Sequence, residues 1–341
     1  MEENIISTPK NKNLLSIIAI VVGAVGVLIA IIALIVGGGK NGTDGKDGKD
    51  GITPTISISE DGYWVINGEK TDVKAEGKDD ANSDGNSASY NPQGLQFYPN
   101  DDGDYIVAVG NAKYLSKIVI PETYNGGKVV GIDNQAFYGC SSLTEIVIPD
   151  SVTTIGNEAF YRCYGLSSVV IPDSVTIIGN LAFYDCSKLS SVVIPDSVIS
   201  IGRCAFESCS SLSSVVIGDS VTTIGNSAFK YCNRLTSIVI PDSVTTIGNS
   251  AFSDCSSLTS IVIPDSVITI DSQAFYGCDG LSSVVIGDSV TTIGDWALFD
   301  CTSLTDVYYT GSETEWQAIT IDSSNSSLTN ATIHYNYVPE N

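Results

Sequence analysis

Residues 148–170 read IPDSVTTIGNEAFYRCYGLSSVV, and residues 171–193 read IPDSVTIIGNLAFYDCSKLSSVV. The same 23-residue block starts again at Ile194, Ile217, Ile240, Ile263 and Ile286, so seven copies fill Ile148 to Tyr308 without a gap. A fixed period of about 20–50 residues marks a solenoid, in which each unit buries its apolar face only against its neighbours. Such chains work as extended surfaces, so the period points toward binding and away from catalysis.

One copy can be read residue by residue. In Leu166-Ser-Ser-Val-Val-Ile-Pro172 the apolar residues Leu166, Val169 and Ile171 follow the LxxLxL spacing. Alternate strand side chains face opposite sides, so Val169 and Ile171 point inward while Ser168 and Val170 point out. Pro172 ends the strand because it has no N–H to donate; Gly218 and Gly287 replace it in two copies. Val175 and Ile178 supply a second inward row. Ala182 and Phe183 open a return segment in which Phe183 fills the core; Leu298 takes that place in the last copy.

The chain has 341 residues and a net charge of −23. That charge opposes nucleic-acid binding, which needs a basic stripe. His334 is the single histidine, so histidine-dependent triads and His-rich metal sites have almost nothing to build on. Neither a cofactor nor a metal site is expected. Eight of the nine cysteines, Cys140, Cys163, Cys186, Cys209, Cys232, Cys255, Cys278 and Cys301, recur every 23 residues in AFxxCxxL or its ALxxC variant. No CxxC pair suggests zinc. Stacked repeats bring equivalent Cα atoms to about 5 Å, within disulfide range, but a ladder of small buried thiols is the preferred reading. Cys204 lies off the ladder and is the candidate exposed thiol. Aspartate also recurs, at Asp150, Asp173, Asp196, Asp219, Asp242, Asp265 and Asp288. A carboxylate row could attract divalent cations, whereas the expectation preferred here is that each Asp closes its own turn by an Asx hydrogen bond.

The repeats sit in a longer architecture. Residues 1–13 form a short tail expected inside the cell. Residues 14–36 are apolar or small apart from Ser16; as a helix they would span about 35 Å, enough for a hydrocarbon core of about 30 Å. An uncleaved transmembrane anchor is expected, with the repeats outside; long domains translocate largely regardless of flanking charge. Residues 37–51 carry glycine at every third place, a collagen-like stalk pattern. Residues 52–75 alternate like a small β unit with Asp61-Gly62 and Asn67-Gly68 as turns. Residues 76–94 read as a disordered linker. Residues 95–119 read as a β-hairpin capping the first edge of the solenoid. Its turn, Asn100 to Asp104, is acidic but lacks the calcium-loop spacing, and a polar turn is preferred. The solenoid itself runs over 120–308, beginning with an irregular repeat with an insertion around Tyr124 to Lys128. Residues 309–341 form a C-terminal cap in which Ser312-Glu-Thr-Glu315 is a capping-box pattern.

The unit IPDSVTTIGNSAFSDCSSLTSIV from Ile240, with its IP, SVTTIG, AFxxC and LxxVxIP elements, closely resembles the BspA-like (Treponema pallidum type) leucine-rich repeats. The resemblance covers Leu95 to Asn336. It implies a β-rich solenoid on a bacterial surface or secreted protein, with roles in adhesion to host proteins, extracellular matrix or other microbes. The alternative is a structural spacer or coat element with no specific ligand. No nucleophile, base and orienting group occur together, so an enzyme is not expected.

Two surfaces are candidates for a partner. The outward strand positions form a serine column (Ser168, Ser191, Ser214, Ser237, Ser260, Ser283) and a valine column (Val170, Val193, Val216, Val239, Val262, Val285). An apolar strip of this kind suits a long or repetitive partner held by many small contacts. The positions flanking the cysteine vary instead, with Tyr161, Arg162, Lys230 and Tyr231 the most distinctive; a single discriminated partner would be sought there.

Overall fold

A computed structural model describes the backbone of 56–58, 63–66 and 69–74, and residues 93–339 in full. The transmembrane and stalk expectations for 14–36 and 37–51, and most of the 76–94 linker, lie outside the described residues. Among the described residues no helix is long and apolar enough to cross a membrane. The chain divides into two units, Met1–Asp84 and Gly85–Asn341. In the first, strands Ile56–Ile58, Tyr63–Ile66 and Glu69–Lys74 form an antiparallel sheet in chain order.

The second unit is a continuous stack of coils, each with two strand positions and a return segment. The SVTTIG row forms the longer sheet. Strands such as Thr154–Ile155, Ile177–Ile178 and Ser200–Ile201 pair in parallel, each residue opposite its equivalent one coil on. This sheet has 12 strands and runs from the hairpin strand Gln96–Pro99 to Thr320–Ile321. The LxxLxL row is interrupted: it forms separate parallel sheets of three, two and four strands, and no ladder strand forms across Ser237–Ile240. The second inward row inferred from sequence is therefore the more continuous β surface.

The ends of the stack are closed differently. At the first edge, Gln96–Pro99 pairs antiparallel with Tyr105–Ala108, which pairs in parallel with Gly127–Ile132. The Asn100 carboxamide oxygen accepts from the N–H groups of Asp102 and Asp104, which closes the acidic turn. The insertion of the irregular repeat is a hairpin between Thr123–Tyr124 and Gly127–Ile132. Its turn residues Asn125 and Gly126 both have positive φ (49° and 86°), as a two-residue primed turn requires. At the other edge a capping box between Ser312 and Glu315 starts helix α1, Glu313–Ala318. Helix α2, Ser326–Asn330, follows, and strand Thr332–His334 ends the LxxLxL row. Buried Asn325 substitutes for the missing next coil: its side chain accepts from Leu298 N–H and donates to the Gly294 carbonyl.

The core is periodic. Phe137, Phe160, Phe183, Phe206, Phe229, Phe252 and Phe275 are fully buried and stack ring on ring, with centroids 5.0–5.5 Å apart and planes within 10°. The eight ladder cysteines are buried and unpaired. From Cys163 onward each thiol donates to the phenylalanine carbonyl of the preceding coil, as Cys163 Sγ does to Phe137 O at 3.1 Å. Cys204 differs from the expectation: it is buried too, 6 % exposed, packed at the residue before Ala205.

The return segment holds itself together by alternation. Glu158, Phe160 and Arg162 donate their N–H groups to Asn180, Ala182 and Tyr184 in the next coil, while Ala159, Tyr161 and Cys163 bond back within their own. This alternation places two residues per coil in the left-handed region, such as Glu158 (φ 55°) and Arg162 (φ 55°), and only Gly139 and Gly277 meet it with glycine. That conformation costs about 1–2 kcal/mol per residue, offset by inter-coil hydrogen bonds of about 0.5–1.5 kcal/mol each.

The aspartate turn is closed by main chain, not by an Asx bond: Val152, Val175 and Val198 donate to the carbonyls of Pro149, Pro172 and Pro195. The following serine reaches the previous coil, as Ser174 Oγ does to Val152 O. Where glycine replaces the proline, the aspartate N–H also donates to the carboxylate one coil back, Asp219 to Asp196 and Asp288 to Asp265. Coils approach closely at the glycine after the second row. A Cβ on Gly202 would lie 2.6 Å from the Gly179 carbonyl oxygen. In the one copy with a side chain there, Asp271 N–H reaches the Ile247 carbonyl at 3.2 Å, against 2.9 Å for Gly179 to Ile155. Gly202→Ala is expected to cost about 1–3 kcal/mol by forcing coils apart, read from the denaturant midpoint.

Candidate binding surface

The surface is built from the outward positions of the LxxLxL row. Buried Val169 and Ile171 hold the strand down, which leaves Ser168 and Val170 facing solvent. Val170, Val193, Val216, Val239 and Val262 are 46–79 % exposed, and Val119 and Val147 extend the column toward the first edge. Val239 is the most exposed of them, and it belongs to the copy without a ladder strand. Val285 and Ser283 depart from the expected pattern: both are half-buried, next to the aromatic C-terminal end.

Two hydroxyl columns flank the valines, and they differ chemically. Ser167, Ser190 and Ser213 each donate to the carbonyl of the equivalent residue one coil back, at 3.2–3.3 Å. Ser168, Ser191, Ser214, Ser237, Ser260 and Ser283 make no side-chain hydrogen bond to protein among the described residues. The outward face therefore offers an apolar row beside a row of free donors and acceptors, repeating with the spacing of adjacent strands, about 4.8 Å.

The column ends at a polar cluster. Tyr308 and His334 occupy the register of Val285 in the last two strands. Their rings stack at 4.7 Å, and Tyr337 lies 4.7 Å from Tyr308. His334 Nε2 is 2.7 Å from Asp306 Oδ1, and Thr305 Oγ1 donates to Asp306 Oδ2. These hydrogen bonds hold the Asp306 carboxyl below its usual range. The hydroxyl meets the carboxylate and not the ring nitrogen, so the cluster lacks the base-to-nucleophile contact of a hydrolytic triad.

The second candidate surface lies on the return side. Tyr138, Tyr161 and Tyr184 form an outer stack with centroids 4.7–4.8 Å apart. Burial between its neighbours pushes the Tyr161 hydroxyl up, against the pull of Arg162. The Arg162 guanidinium sits 5.2 Å from the Tyr161 ring and 3.7 Å from Asp185; Lys230 Nζ lies 4.9 Å from the Tyr231 ring. Arg162 and Tyr231 are exposed, whereas Tyr161 and Lys230 are half-buried. The serine–valine columns and these four residues are thus on different sides of the coil and do not form one site. Among the described residues no group of three or more His, Cys, Asp or Glu is placed to hold a metal ion.

The model for the BspA type leucine rich repeat region, in six copies, matches residues 110–236 and 222–338. The chain belongs to the BspA-type leucine-rich-repeat family. No curated protein matches it. Among solved structures, a leucine-rich repeat protein of T. pallidum is 30% identical, covering 63% of this chain and 90% of its own, with a TM-score of 0.47. A leucine rich cell surface protein of Faecalibacterium prausnitzii is 25% identical over 69% of this chain and 98% of its own, with a TM-score of 0.41. Leucine-rich repeats of this family are binding scaffolds and not typically enzymes.

Proposed function

We propose that this BspA-type protein is a cell-surface, adhesin-like binding protein, anchored in the membrane by residues 14–36 with its repeats outside the cell. Its partners are extracellular proteins or matrix components, held along the serine–valine face. The observation that carries this reading is the pairing of an exposed valine column with serine hydroxyls that make no side-chain hydrogen bond among the described residues. Exposed apolar strips of this kind mark interaction sites, and many weak repeated contacts add to useful avidity. Membership of a family that is typically surface-exposed supports the location.

The test uses the full chain captured on matrix proteins and on neighbouring cells. Val170→Glu, Val193→Glu and Val216→Glu together change stability by under about 0.5 kcal/mol each, because these side chains are exposed. They are expected to cut saturable binding at least about tenfold, a loss of about 1.4 kcal/mol. Binding that survives this triple substitution moves the interface to another face; no saturable binding by the unsubstituted chain favours the spacer reading.

A further inference from the structure

The cations of the seven regular copies are not scattered. Arg162, Lys188, Arg203, Lys230 and Arg234 are the only Lys or Arg between Ile148 and Tyr308, and they fall in four consecutive copies. All five belong to the return segment, between the glycine turn and the recurring leucine. Arg162, Lys188, Arg203 and Arg234 are exposed. Lys188 and Arg234 have no ion-pair partner among the described residues, and Arg162 has one contact at 3.7 Å. Three acids, Glu158, Asp185 and Glu207, share the return segments of these four copies, so the strip stays net positive on a chain of net charge −23.

The opposite charge recurs once per coil, at one fixed place. Asp150, Asp173, Asp196, Asp219, Asp242, Asp265 and Asp288 are all exposed, one per coil, in a single row. They occupy the corner between the two strand rows, away from the return segments. The carboxylates of Asp150, Asp173 and Asp242 make no hydrogen bond among the described residues. Adjacent coils are spaced like adjacent strands, about 4.8 Å, so the cationic strip and the acidic row are commensurate.

We infer that the cationic return strip is a docking surface for the aspartate row of a second copy of this chain. The two rows lie side by side, and charges meet coil by coil. The rest of each molecule is acidic, but at physiological salt its repulsion is screened beyond about 8 Å while facing rows remain within reach. Each contact is weak, and four coils of contacts sum. The strip and the row sit on different sides of the coil, so the contact is heterologous and does not close on itself. Copies therefore associate side by side in open rows, leaving the serine–valine face unused by this contact.

Two differently tagged copies of the full chain provide the test, one immobilised and the other captured from solution. Capture should fall at least about tenfold between about 0.05 M and about 0.5 M salt, as the screening length shrinks. Charge reversal of the strip (Lys188→Glu, Arg203→Glu, Lys230→Glu, Arg234→Glu in both copies) should lower capture to a similar extent. Reversal of the row (Asp150→Lys, Asp173→Lys, Asp242→Lys) should do the same, and combining one strip-reversed copy with one row-reversed copy should restore capture. Circular dichroism melts establish that each variant is folded. Capture that ignores salt, or a mixed pair no better than the single variants, overturns the proposal. A variant that fails to fold leaves the salt titration of the unsubstituted chain to decide it. Loss of matrix binding by the valine substitutions, with self-capture intact, separates this contact from the adhesive face.

Discussion

Raising the pH from 8 to 11 is expected to unfold the solenoid reversibly. The cause is the cysteine ladder. Burial pushes the Cys140 thiol up to about 11 and the Cys255 and Cys301 thiols up to about 12, and raises the other five ladder thiols as well. In the unfolded chain the same thiols ionise near about 8.5. The folded state thus keeps protons that the unfolded state releases. The stabilisation is fully present below the unfolded value and is lost as pH rises toward the folded values. Each thiol in that window removes about 1.4 kcal/mol per pH unit, and the eight act together. Two pH units exceed the stability of about 5–15 kcal/mol that holds an ordinary domain. The raised hydroxyls of Tyr161, Tyr184 and Tyr309 act in the same direction at higher pH. Far-UV circular dichroism from pH 8 to 11.5 reads the transition. Replacing Cys186, Cys209, Cys232 and Cys255 by alanine should make the pH dependence about half as steep, four of eight ladder thiols being removed. A chain that keeps its native spectrum unchanged at pH 11 contradicts the account.

What is legible in the sequence is the part of the structure that repeats as side-chain chemistry. Period, inward valines and isoleucines, the phenylalanine core and the thiol ladder all follow from apolar residues at fixed places, because burial supplies most of the driving force for folding and it depends on side chains. The backbone solutions are harder to read. The left-handed residues of the return segment are Glu158, Arg162, Leu181, Cys204 and Trp296 among others, which carry no common side-chain signal. A partial trace exists: of the eight positions before the ladder cysteines, Gly139, Gly277, Asp185, Asp254 and Asp300 are residue types that tolerate positive φ, whereas Arg162, Ser208 and Tyr231 give no such signal. Cys204 escapes the sequence pattern for the same reason, since its burial follows from a backbone turn and not from an apolar period. Asp-Ser suggests a local Asx bond at each aspartate turn. In the fold the main chain closes the turn, and the serine hydroxyl is drawn to a carbonyl that only stacking provides. Asn325 gives no warning, because a single residue cannot announce that it replaces a whole coil. For the binding surface, the valine and serine columns can be placed from alternation alone. Which hydroxyl column is already committed to the preceding coil depends on inter-coil contacts.

Phe206→Ala is expected to lower stability by about 3–5 kcal/mol, the range for removing a buried aromatic ring. Phe206 is fully buried at the middle of the stack, parallel to Phe183 at 5.2 Å and to Phe229 at 5.5 Å. Truncation empties one ring position and breaks both contacts, each worth about 0.5–1.5 kcal/mol beyond burial. Neighbouring coils cannot collapse into the gap, because their spacing is fixed by ladders such as Phe206 N–H to the Ala228 carbonyl and Phe183 N–H to the Ala205 carbonyl. Leucine is tolerated better: Leu298 occupies this position in the last copy and is fully buried there. Phe206→Leu should cost only about 1–2 kcal/mol. The position of the defect matters as much as its size. In a solenoid each coil is stabilised by its two neighbours, so a weakened central interface uncouples the halves. Of the three tryptophans, Trp296 and Trp316 lie toward the C-terminal edge and Trp64 lies outside the solenoid, so in a Trp64→Phe background tryptophan fluorescence reports that edge, whereas circular dichroism averages over all coils. With Phe206 in place the two signals should follow one denaturant transition. In Phe206→Ala they should separate, the test for loss of two-state behaviour. A midpoint shift worth under about 1 kcal/mol would mean that the phenylalanine stack does not hold the coils together.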